Sequence, residues 1–241
     1  PHRAQFTLII TGDGGYSETF EFGKVIGQAP VLLVDDDDGG NNVEGFFFES
    51  LDALGVPYAY WSHQDLGAPT TVIDQFSTVV WLCEWTFPSL DNVDRSALGT
   101  FLDNGGNLFL SGQDIGWDMC DDITTFPNEY SLSGGLSKIW YENQLHCEYI
   151  ADDASPAGQA SLPVSGVSGN AIGDGLSFTI SQPGRSSDNQ YPSIIAPLTN
   201  AEAVFEYSPG VTGATLWSGT SKVVNFGFGF EAITDYDSRV A

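Results

Sequence analysis

The sequence predicts an α/β domain with a doubly wound, mainly parallel sheet, helices on both faces, an antiparallel C-terminal extension and a β-hairpin in front. Three observations carry that expectation. Between Pro30 and Ser111, the β-like runs "VLLVDD", "YAYWS", "TVVWLC" and "NLFLS" alternate with segments of helical periodicity, which is the rhythm of successive βα units. The first run is continuously apolar before its carboxylates, as in a strand buried on both faces. Beyond Asp118 the rhythm loosens into short β-rich stretches separated by Gly, Pro and Asn, the pattern of hairpins finishing a sheet edge.

Taken in order, Phe6 to Thr11 and Ser17 to Val25 flank the turn Gly12-Asp13-Gly14-Gly15 and read as a hairpin, with Gly27 to Pro30 as a linker. A lone hairpin is marginal in water. Residues 1–29 are therefore expected to complete a neighbouring β-sandwich, or else to pack on the domain formed by residues 30–241. A first helix carries Val43, Phe46, Phe47, Ser50, Leu51 and Leu54, with Asn41 as its cap, Glu44 three residues on and Gly55 as its stop. A short helix is expected around Thr70 to Phe76. A further helix presents Leu90, Val93, Ala97, Leu98, Phe101 and Leu102 on one face and stops at Asn104-Gly105-Gly106. Later come a helix over Leu136 to His146 and strands near Ser177 to Ile180, Ala203 to Tyr207, Ala214 to Ser218 and Lys222 to Phe228.

Charge narrows the range of partners. The 32 Asp and Glu against 7 Lys and Arg leave a formal charge of -25, which repels nucleic-acid phosphates and anionic membrane surfaces. Nucleic acid is excluded as a partner, and no apolar run reaches the ~20 residues that span a bilayer, so membrane insertion is not expected. Few charged residues, plentiful Gly, Ser, Thr and Asn, and almost no Lys form a profile closer to secreted or salt-adapted proteins than to cytosolic ones; the expectation is a secreted or cell-surface chain that is an excerpt of a longer precursor. Cys83, Cys120 and Cys147 form no C-x-x-C pair, which removes zinc ribbons and thioredoxin-type chemistry. Cys83 ends an apolar run and reads as a buried thiol; Cys120 and Cys147, in polar surroundings, are the pair that any bridge would join.

The segment "NLFLSGQDIGWD" places a strand directly before Gly112-Gln113-Asp114-Ile115-Gly116, the Gly-x-nucleophile-x-Gly spacing of a tight strand-to-helix turn. With "PVLLVDDDDG", "FLDNGGNLFLSGQDIGWD", "LHCEYIADD" and "KVVNFGFGFEAI", the chain from Pro30 onward resembles the class I glutamine amidotransferase-like superfamily. Within it, the resemblance is to a branch attached to large secreted bacterial multidomain proteins. Active members place a Cys in the elbow and a His-x-Glu pair after a late strand. Carried onto this sequence, the resemblance puts Asp114 at the Cys position and Gly229 at the His position, and keeps Glu231. Cysteine attacks an amide because the thiolate is a strong nucleophile with a base beside it. A carboxylate attacks only substrates with good leaving groups, and glycine accepts no proton. The resemblance thus implies a pseudoenzyme scaffold.

Asp35, Asp36, Asp37 and Asp38 lie at the carboxyl end of the first parallel strand, where open α/β sheets bind ligands. They offer hard oxygen ligands for Ca2+, without the alternation of an EF-hand; equally, acidic residues favour and cap the start of a helix. Asp114, Glu231 and this loop are expected to converge on one rim, with Asp114 either locked by loop amides or available to a ligand. Trp85 and Trp117, in loops after strands, are the tryptophans placed to line a pocket, while the others read as core. His146, near Glu148, Asp152 and Asp153, reads as a helix cap or as a metal ligand or base; His63 and His2 have no sequence companions.

The leading expectation is a non-catalytic accessory domain of a secreted multidomain protein that makes interdomain, cell-surface or self-assembly contacts. The alternatives are a glycan- or peptide-binding module, Ca2+-dependent if the acidic loop holds the ion, and a hydrolase using Asp114 or a metal-bound water.

Overall fold

The computed structural model describes residues 2–37, 42–122, 126–155, 161–181 and 190–241. Strands β1 (His2–Thr11) and β2 (Ser17–Ile26) pair only with each other, as an antiparallel hairpin in register from His2 opposite Ile26 to Thr11 opposite Ser17. Leu8 and its cross-strand partner Phe20 share one face, and both are exposed.

The body begins at β3 (Val31–Asp35), α1 (Glu44–Ala53), β4 (Tyr58–Ser62) and the single turn α2 (His63–Leu66). It continues through β5 (Thr78–Glu84), α3 (Asn92–Asp103), β6 (Asn107–Gly112) and α4 (Ile115–Cys120). After α5 (Glu129–Ser133) and α6 (Leu136–Leu145) come β7 (Cys147–Ala151), β8 (Ser161–Gly166), β9 (Ser177–Ser181) and β10 (Ile194–Pro197). The chain closes with β11 (Ala201–Ser208), β12 (Val211–Ser218), β13 (Lys222–Phe226) and α7 (Tyr236–Arg239).

Nine strands form one sheet in the order β4-β3-β5-β6-β13-β12-β11-β8-β9. It is parallel from β4 to β13 and antiparallel beyond, while β7 and β10 make a separate pair. Alternation along each strand assigns its side chains to two cores. Leu32, Val34, Val79, Trp81, Leu108 and Leu110 face α3, α4 and α6 through Leu98, Phe101, Met119, Tyr141 and Leu145. Val31, Leu33, Val80 and Leu82 face the other way, onto Val43 and Phe47 of the α1 segment. A third cluster, with Ile180, Val204, Phe205 and Phe228, fills the antiparallel half. No described helix is long and apolar enough to cross a membrane.

Several local expectations need correction. The first helix starts at Glu44 with Val43 as its N-cap and no capping side chain; Asn41, the expected cap, lies outside the described residues. The stretch from Thr70 to Phe76 holds only the 3-10 turn Ile73–Gln75, while the helical turn His63–Leu66, capped by the Ser62 hydroxyl, escaped the pattern because it is a single turn. The third helix is as strong as its sequence: Asp91 and Asp94 close a reciprocal capping box.

Candidate functional site

The elbow is present in its strained form. Asp114 sits in the left-handed region at φ 60 and ψ 4, unusual for a residue with a side chain, and its carbonyl accepts the first bond of the following helix from Asp118 at 2.8 Å. The flanking glycines are there for space. A Cβ on Gly116 would stand 2.6 Å from a Tyr149 ring carbon, and one on Gly112 would be wedged between Ile115, Cys83 and the Glu84 carbonyl. Asp118 anchors the helix, its carboxylate accepting from the Ser89 amide and hydroxyl at 2.8 Å and from the Glu129 amide at 2.9 Å.

Asp114 is 5% exposed and is held by the indole of Trp85, which donates to its Oδ2 at 2.6 Å, so the lock is a side chain rather than loop amides. Its second neighbour is Asp152. Burial first, and the Asp152 carboxylate next, push the Asp114 carboxyl up to about 9; burial raises Asp152 as well. Two carboxyl groups this close cannot both ionise cheaply, so at neutral pH the pair shares one proton, which Asp114 carries. Chain order hides this partnership, because Asp152 follows β7, far from the elbow in sequence.

At Gly229, which the resemblance sets at the base position, the space for a Cβ is already filled. Gly229 precedes a 3-10 turn, Phe230–Ala232, and the place where a Cβ at residue 229 would stand falls inside the Glu231 carboxylate. Glu231 is 3% exposed, and its carboxyl is pushed up to about 8 by burial, then by the charges of Glu84 and Asp37. Any side chain at residue 229 would require the Glu231 carboxylate to shift.

The acidic rim does not converge on one point. Because successive residues point to opposite faces, Asp36 turns toward α3 while Asp35 and Asp37 turn toward α1. Asp36 accepts from the Trp81 indole at 2.9 Å and meets His63 Nδ1 at 2.7 Å; His63 Nε2 meets Asp94 at 2.9 Å. The Asp36 hydrogen bond, followed by that of Asp94, raises the imidazole to about 10, so His63 is a cation clamped between two buried carboxylates. His63 therefore has companions that the sequence did not show, since they come from three separate elements. On the opposite face, Asp35, Asp37 and Glu44 bring one oxygen each to within 4.8 Å of one another; Asp38 lies outside the described residues.

Above the elbow, Trp85 leads an aromatic cluster. Its ring lies 5.6 Å from Tyr191 and 6.4 Å from Phe87, and Phe87 lies 5.5 Å edge-on to Trp117. Trp85, Phe87 and Tyr191 are all exposed. Phe87 and Tyr191 carried no motif; only folding gathers them. His146 belongs elsewhere, in the left-handed residue that ends α6, with its ring stacked 3.8 Å from Trp217. Cys120 and Cys147, expected in polar surroundings, are buried in the main core, and all three thiols are free.

A Thermotoga maritima glutamine amidotransferase superposes with a TM-score of 0.52 at 14% identity, over 89% of this chain and 81% of that one. The chain shares its fold with this amidotransferase. A glutamine amido transferase from Methylobacillus flagellatus, at a TM-score of 0.49 and 8% identity, covers 85% of this chain and 70% of its own. The mmIFT52 N-terminal domain superposes at 0.50 with 10% identity, over 87% of this chain and 96% of that one. No family model and no curated protein matches the chain. At these identities the likeness of this amidotransferase-like chain to its neighbours is one of architecture.

Proposed function

We propose that the chain is a non-catalytic, amidotransferase-like accessory domain of a secreted multidomain protein, working through contacts with neighbouring domains of its precursor. The observation that carries this reading is the Glu231 carboxylate occupying the space where a general base would begin. The neutral, Trp85-bound Asp114 at the elbow supports it from the nucleophile side. The contact role draws on the hairpin, whose Leu8, Ile10 and Phe20 are exposed apolar side chains on a pair of strands with no third partner among the described residues. Secretion rests on the composition alone. Ammonia release from glutamine is the test: none is expected from the native chain or from Asp114→Cys, since residue 229 takes no proton. Turnover in either would overturn the reading.

A second reading is favoured by the exposed aromatic cluster beside Asp114 and Asp152. Rings of this kind stack on the apolar faces of sugars while carboxyl groups hydrogen-bond the hydroxyls. Glycan-array binding that Trp85→Ala abolishes would favour a glycan module, and hydrolysis of the bound glycan would point to the carboxyl pair as a water-activating site.

A further inference from the structure

We infer that Asp35, Asp37 and Glu44 form a calcium site that ties the end of β3 to the first turn of α1. It lies apart from the elbow and does not depend on the accessory-domain reading. The geometry is that of ligands around one ion. Calcium binds oxygens at about 2.3–2.6 Å, so two ligands on opposite sides of it stand up to about 5 Å apart, and the oxygens offered here lie within 4.8 Å of one another.

The second observation is an uncompensated oxygen inside the cluster. Asp35 is 8% exposed; its Oδ2 accepts from the Tyr60 hydroxyl at 2.5 Å, while Oδ1 is buried with no hydrogen-bond donor among the described residues. Glu44 likewise has a buried Oε2 without a donor among the described residues. A buried carboxylate oxygen without a partner is costly to hold out of water, and a cation offsets that cost for several oxygens at once. Among the described residues, the charges that act on Asp35 are those of Asp37 and Glu44, both of its own sign, set against hydrogen bonds from the Tyr60 hydroxyl and the Asp37 backbone.

Helix capping accounts for only part of the cluster: the N-cap is Val43, which makes no side-chain cap bond, and Glu44 alone of the three lies in the first turn, where an acid favours the helix dipole. Tyr60 has the role of an outer partner. It occupies one Asp35 oxygen and is itself held edge-on by Phe48 at 5.3 Å, which directs the other oxygen toward Asp37 and Glu44. An all-carboxylate, hard-oxygen set selects calcium over softer transition metals.

The test uses the full chain stripped with chelator, at constant ionic strength to hold screening fixed. Calcium at about a hundred times its Kd should raise the melting temperature by roughly 5–10 °C. Terbium should bind with one-to-one stoichiometry and give emission sensitised by nearby aromatic rings. Glu44→Gln, at a partly exposed position, should fold but lose both responses; Asp35→Asn should lose them as well. Asp13→Asn, which removes an equal charge from the exposed hairpin turn, should keep both. Identical melts with calcium and with chelator and no terbium signal would overturn the site, as would responses that survive in Glu44→Gln. Glutaminase assays do not bear on it, so its failure and that of the proposed function are separable.

Discussion

Asp114 shows what burial does to a carboxyl group held in a tight strand-to-helix turn. Its folded value, pushed up to about 9, lies above the ordinary aspartate range, so the folded chain holds a proton that the unfolded chain releases. The corresponding stability is complete below about pH 4 and is lost as pH rises through about 9. Asp114→Asn mimics the protonated form and can still accept from Trp85. Urea unfolding at pH 5, 7 and 9 should therefore show a decline in the native chain that is smaller in the variant by on the order of a few kcal/mol; what remains in the variant belongs to other buried carboxyls such as Glu231, raised to about 8. Parallel pH profiles would mean that the carboxyl is ionised in the fold. Asp114 itself was legible as the elbow residue from Gly112 and Gly116. Its proton was not, because that depends on Asp152, brought in by a strand that pairs elsewhere.

At the level of elements, β3 does two jobs with one alternation. Leu32 and Val34 fill one core and Val31 and Leu33 the other, and the same period then sends Asp36 to His63 and Asp35 to Tyr60. Leu33 is completely buried. Leu33→Asp should abolish folding, because an unpaired buried charge costs several kcal/mol against a total stability of about 5–15 kcal/mol. A soluble variant with a native circular dichroism spectrum and a normal melt would contradict the packing. The long amphipathic helix α3 and the parallel strands could be read from periodicity, since burial on a helix face or on both sheet faces leaves a repeat in the sequence. The strands β7, β8 and β10 left no usable trace: each is short, and β8 and β10 contain Pro163 and Pro197.

Across the whole molecule, 32 Asp and Glu against 7 Lys and Arg leave a formal charge of -25 with few cations to offset it. Self-repulsion of this kind is long-ranged and therefore screened by salt. The melting temperature in chelator should rise as NaCl goes from about 0.01 to 0.5 M, a range in which the Debye length falls from about 30 Å to well under 10 Å. A steady fall would show that local ion pairs, such as the clamp on His63 or Arg95 with Glu129 at 2.8 Å, outweigh the global repulsion.

By itself the sequence determined the alternating strand-helix order from Pro30, the two-sided burial of β3, the tight turn at Asp114 and the large negative charge. These are properties of neighbouring residues or of composition, and physical constraints such as period, turn space and net charge write them locally. Only the tertiary structure decided which carboxylates meet. It gave Asp114 to Asp152, Asp36 to His63 and Asp94, and Asp35 to Asp37 and Glu44. It also set the Glu231 carboxylate into the space beside Gly229 and gathered Trp85, Phe87, Trp117 and Tyr191 into one cluster. The reason is distance: electrostatic and steric effects act over a few ångströms in space, and these partners lie on elements whose adjacency is set by how the sheet is assembled, not by their order in the chain.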